Sequence, residues 1–165
     1  VTDRLPKIKV RWAEGQKWQE YVAKTLRRVG IQAEAESEPW DETRERVEEF
    51  AKYQADLIVG GRYPFEIKSK VVPFTSPTDY PFDTVLLDTV DGWDKKVIKP
   101  RGLLIVSQPT GAILGFGLKS HPKFGTVNIY DKYVEQHDYY YTLPKRLLLS
   151  FDEIVAGMRK MIENG

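Results

Sequence analysis

Residues 55–68, Ala-Asp-Leu-Ile-Val-Gly-Gly-Arg-Tyr-Pro-Phe-Glu-Ile-Lys, leave this chain few ways to fold. Leu57-Ile58-Val59 has the composition of a short buried strand, Gly60-Gly61-Arg62 that of a turn, and Phe65-Glu66-Ile67-Lys68 begins a second strand. With Gly60-Gly61-Arg62 as a three-residue loop, Val59 pairs with Tyr63, and counting back sets Asp56 opposite Glu66. Side chains two apart on a strand share a face, so Lys68 stands beside Glu66, about 7 Å along. Two carboxylates facing each other across a ladder, about 5 Å apart at Cβ, repel and weaken the sheet. A divalent cation between them, with an ammonium nearby, removes that penalty, so the hairpin predicts a metal site.

The donor set points to a chemistry. Magnesium prefers oxygen ligands and is commonly held by one or two carboxylates. It polarises phosphoryl oxygens and lowers the pKa of a water, while a lysine stabilises developing negative charge and orients the attacking water. Asp56, Glu66 and Lys68 therefore suit hydrolysis of a phosphodiester. The alternative is a surface hairpin whose charges face water, as charges usually do.

Asp56 followed by Glu66-Ile67-Lys68 on the next strand resembles the core of the PD-(D/E)XK nuclease superfamily, with Ala55 where that signature has proline. Upstream, Gly15-Gln16-Lys17-Trp18-Gln19-Glu20 and Leu26-Arg27-Arg28-Val29-Gly30-Ile31 are similar to the first helix and strand of archaeal Holliday-junction resolvases and Mrr-like restriction endonucleases. Glu66-Ile67-Lys68-Ser69-Lys70 is similar to their Glu-x-Lys-Ser-Arg/Lys stretch. The resemblance covers roughly residues 13–70. It implies an α/β fold, a restriction-endonuclease-like mixed central sheet flanked by helices. It further implies a metal-dependent endodeoxyribonuclease that uses Mg2+, with Mn2+ substituting. Asp56, Glu66 and the Ile67 carbonyl would hold the metal, and Lys68 would orient or activate water. A homodimer follows by analogy, since two strands need two active sites, and branched DNA is the leading substrate. A non-catalytic DNA-binding or assembly subunit that keeps the nuclease fold is the alternative.

One departure lies in the first helix. Trp18, Val22, Leu26 and Val29 fall on one stripe, and Gly30 supplies the stop. Aligned on Gly15 and Gly30, the resolvase family's helix glutamate falls on Gln19, at the edge of that stripe. Glutamine hydrogen-bonds a water but brings no charge. Glu14, on the other flank, or Glu20, on the opposite side, are the other candidates for that position, and equally ordinary solvated acids.

The remainder is coarser. The chain, 165 residues long, can bury roughly 70% of its unfolded surface as one domain. No cysteine is present, which excludes thiolate sites, and His121 and His137 are too few for a histidine-rich zinc site. With no signal peptide and no long apolar run, a soluble cytoplasmic protein with no membrane partner is expected. A net charge of +1 is far from that of a nucleic-acid coat protein, although site carboxylates offset a local basic face. Residues 31–36 alternate as a strand, 39–53 form a charged helix, 73–81 with three prolines a loop, and 85–90 a strand. Residues 103–107 and 112–118 form a second hairpin, and Ser150-Phe151-Asp152-Glu153 is a capping box opening a last helix. The DNA-contact candidates are Lys70, Phe74 and Tyr80 of the loop, and the basic group Lys95, Lys96, Lys99 and Arg101. Lys119, His121 and Lys123 form a second basic group, and the aromatic-rich residues 133–141 suit a packed strand or interface better than base stacking.

Overall fold

The structure is a computed structural model that describes residues 4–36, 55–118, 124–132 and 135–165. The helix expected over 39–53, the basic group Lys119, His121 and Lys123, and Tyr133 lie outside the described residues. In chain order the elements are α1 (Arg4–Arg28), β1 (Ala33–Ala35), β2 (Leu57–Val59), β3 (Tyr63–Lys70), β4 (Thr84–Thr89) and α2 (Val90–Lys95). They continue with β5 (Gly102–Ser107), β6 (Ile113–Gly117), β7 (Gly125–Asp131), β8 (Gln136–Pro144) and α3 (Phe151–Glu163), the last two joined through a short 3-10 turn at Lys145–Leu147.

Two sheets carry the fold. The larger has the order β1-β2-β3-β5-β6, antiparallel throughout except for the parallel β3–β5 pair. The smaller is antiparallel, in the order β4-β8-β7. Alternation along each strand of the larger sheet divides its side chains between two cores. Leu57, Val59, Phe65, Ile67, Leu104 and Val106 pack with Val22 and Leu26 of α1 and with Ile154, Val155 and Met158 of α3. On the other face Leu103, Ile105, Leu114 and Phe116 pack with Val85, Leu87 and Leu143 of the smaller sheet and with Trp93 of α2.

The protein is therefore α/β with a mixed central sheet, in three layers. Both long helices cover one face, and the second sheet together with the short α2 covers the other. β8 contributes Leu143 and, two residues earlier on the same face, Tyr141 to the second core, while Tyr139 stays exposed.

Local signals explain the ends of α1 and α3. Gly30 adopts φ 85°, and Ile31 N donates to Leu26 O (3.0 Å) while Gly30 N donates to Arg27 O (3.0 Å), a Schellman stop. Val29, expected on the buried stripe, falls at that stop and is exposed. At α3, Ser150 Oγ accepts from Glu153 N and Glu153 Oε1 accepts from Ser150 N, each at 3.2 Å, so the capping box forms as expected. No helix among the described residues is long and apolar enough to cross a membrane.

Candidate active site

The β2–β3 hairpin has the anticipated register. Val59 pairs with Tyr63 and Leu57 with Phe65 around a turn in which Gly60 and Gly61 take φ 61° and 74°, conformations that suit glycine. The ladder ends at the Leu57–Phe65 pair, one step short of Asp56 and Glu66. There the Asp56 carboxylate replaces the missing strand, and its Oδ2 accepts from the Ile67 N–H at 2.8 Å. Gln19, from α1, donates through Nε2 to Asp56 Oδ1 at 3.1 Å. The other end of that amide, Oε1, is buried without a hydrogen-bond partner. Glu14 and Glu20 are both exposed, so Gln19 is the helix residue that reaches the site.

Glu66 and Lys68 share the face of β3 opposite the helices. Glu66 is 6% exposed, and each of its carboxylate oxygens meets an ammonium: Oε1 that of Lys68, Oε2 that of Lys96, each at 3.2 Å. Lys96 is the residue that caps α2, its N–H donating to Trp93 O at 3.1 Å, and its side chain is only 10% exposed. The sequence grouped Lys96 with Lys95, Lys99 and Arg101 as DNA-contact candidates. The fold turns it inward because Trp93, three residues earlier, is buried in the second core.

The charges perturb one another in a consistent pattern. Burial, reinforced by the field of Glu66, raises the Asp56 carboxyl from 3.8 to about 7, against Lys68, the Ile67 N–H and Lys96. Glu66 is buried too, yet Lys68 and Lys96 hold it below the ordinary range. Burial opposes the charge on Lys68, but Glu66, Asp88 and Asp56 together raise its pKa. Lys70, two residues along the same face, is lowered to about 8 by burial and by the positive charges of Lys68 and Arg11.

Asp88 was not singled out from the sequence. It sits at the end of β4, where the register slips between Leu86 and Asp88, and its Oδ1 accepts from Thr89 N at 2.8 Å. Bulges of this kind re-aim side chains beside functional sites. The only sequence signal was an acid closing an apolar run just before Thr89, whose hydroxyl caps α2 by accepting from Gly92 N at 3.0 Å.

The proposed DNA contacts fare differently. Phe74 and Tyr80 are 1% and 3% exposed and pack edge-to-face in the second core, so they are core residues rather than contacts. The loop carrying them is pinned by Asp79, whose carboxylate accepts from the Thr75 hydroxyl and from the Thr75 and Ser76 N–H groups. The basic group does not form one patch. Lys95 pairs with Asp91 at 2.8 Å, Lys96 turns to Glu66, and Lys99 donates to Trp93 O and lies over the Trp93 ring. Arg101 stacks on Tyr63, whose ring belongs to the helix-covered face, away from Glu66. Lys70 stays on the Glu66–Lys68 face, half-buried.

The donors suit a hard divalent cation: two carboxylates of opposed tendency, a main-chain segment at Ile67 and the orphaned Gln19 oxygen, all oxygen ligands of the type magnesium takes. Among the described residues no group of three or more His, Cys, Asp and Glu side chains comes together, so any metal here rests on the pair Asp56 and Glu66. Compared with known protein families, curated proteins and solved structures, the chain matches none.

Proposed function

We propose that this protein is a metal-dependent endodeoxyribonuclease with a restriction-endonuclease-like core, hydrolysing DNA phosphodiester bonds at Asp56, Glu66 and Lys68. The observation that carries the reading is the meeting of Asp56, Glu66 and Lys68 on one face at the end of the β2–β3 ladder, with Gln19 closing on Asp56 from α1. The mixed central sheet, with β1-β2-β3 antiparallel and β5 parallel to β3, is compatible with the α/β fold that the resemblance implies.

Each side chain has a defined task. Asp56 and Glu66 would hold Mg2+ or Mn2+ with the Ile67 carbonyl, and the ion when bound supplies Lewis-acid polarisation and a more acidic water. Gln19 orients Asp56 through its amide and offers its free oxygen to a water. Lys68, kept charged by Glu66, Asp88 and Asp56, stabilises the charge that develops on the phosphoryl oxygens. The products would be a 5′-phosphate and a 3′-hydroxyl, and a homodimer would cut both strands of a branched or duplex substrate. Gln19 in place of an acid favours a second reading, a DNA-binding or assembly subunit without catalysis.

Incubation with supercoiled, branched and linear DNA, with and without Mg2+ or Mn2+, separates the two. Metal-dependent nicking that disappears in Asp56→Ala and Glu66→Ala is expected. DNA binding without cleavage under every metal condition would establish the non-catalytic reading instead.

A further inference from the structure

Both oxygens of Glu66 are engaged, one by Lys68 and one by Lys96. A divalent cation shared between Asp56 and Glu66 needs one of those oxygens, and it adds two positive charges beside two ammonium groups. Like charges at this separation in a partly buried site repel strongly, so one ammonium has to yield.

The two lysines are not equivalent. Lys68 is fixed by the β3 strand, parallel-paired to β5 at Ile105, and it also feels Asp88 and Asp56. Lys96 hangs from the cap of a six-residue helix, and Glu66 is the one ion pair recorded for it among the described residues, although its charge also reaches Asp56. A largely buried ammonium that loses its carboxylate needs another anion. The anion that arrives with the metal, on the nuclease reading, is a phosphate of the DNA strand.

We propose that Lys96 is a displaceable counter-ion: it competes with the divalent metal for Glu66 Oε2 and, once displaced, contacts a phosphate of the bound strand. This rests on the nuclease reading above. It gives Lys96 two partners in succession, which separates it from Lys68, whose pairing with Glu66 is kept. Metal affinity is then set partly by a lysine outside the Glu-x-Lys signature.

Magnesium titrated calorimetrically into the full chain tests the first half without any turnover. Lys96→Met is expected to bind Mg2+ about tenfold more tightly than wild type, the order of one ion pair removed from competition. Lys96→Arg keeps the charge and is expected to bind no more tightly than wild type. Lys96→Gln repeats the measurement should the methionine variant not fold. At saturating Mg2+, the neutral variants should raise KM for DNA severalfold, on the order of a single lost phosphate contact, with kcat little changed. Equal or weaker Mg2+ affinity in both neutral variants overturns the competition. Tighter Mg2+ binding with an unchanged KM overturns the phosphate contact. Absence of Mg2+ binding in wild type as well overturns the metal reading itself, and this inference with it.

Discussion

Lys68 is the residue whose surroundings most favour one charge state. Its ammonium lies 3.2 Å from Glu66, with Asp88 and Asp56 adding to the field. A group held charged in this way cannot take a proton from water, so on the nuclease reading its contribution would be electrostatic and orienting rather than that of a general base. Lys68→Ala should therefore lower kcat by about a hundredfold or more while changing DNA affinity little. Steady-state kinetics beside a binding titration checks this; normal turnover with weaker binding would make Lys68 a phosphate anchor. The pairing of Lys68 with Glu66 was legible in the sequence, because two residues apart on a strand always means one face. Asp88 and Lys96 were not legible, since their approach depends on how β4 and α2 are laid over the sheet.

Among the elements, the irregular segment between β3 and β4 departs furthest from expectation. Three prolines marked it correctly as a loop, and a loop ordinarily lies on the surface. Phe74 and Tyr80 nevertheless enter the second core, because the smaller sheet leaves room beneath it beside Leu103 and Ile105. Burial of a loop aromatic depends on what packs over it, and although residues 133–141 suited a packed strand, nothing in the sequence placed that strand over this loop. Phe74→Ala is expected to cost about 3–5 kcal/mol of stability, as for a buried phenylalanine in any core. Chemical denaturation measures it, and a cost below about 1 kcal/mol would return Phe74 to the surface. By contrast, the β2–β3 hairpin was legible to the residue: paired glycines and strict alternation leave one register, and a slip by one would bury the charges among the helices.

For the whole molecule, the site is a source of instability that depends on pH. Asp56 carries a pKa raised from 3.8 to about 7 in the folded protein. Between those values the folded state retains a proton that the unfolded chain has released, so stability falls as pH rises through this window. Glu66, lowered from its ordinary value, acts in the opposite sense and only in acid, where stability is lost as it protonates. Without divalent metal, the melting temperature of wild type should thus fall between about pH 4 and about pH 7. Asp56→Asn, which keeps an oxygen for the Ile67 N–H, should show a smaller fall; parallel curves for the two proteins would place the Asp56 pKa elsewhere. The three-layer arrangement also sets an order of events. A side-chain carbon at Gly60 would lie 2.7 Å from Ile162, so the turn that fixes the Asp56–Glu66 register rests directly against α3. Contacts between such distant parts of a chain form late and slowly. On a ribosome the turn emerges long before the helix that braces it. A nascent chain that already holds Asp56, Glu66 and Lys68 therefore still lacks the helix against which their turn rests.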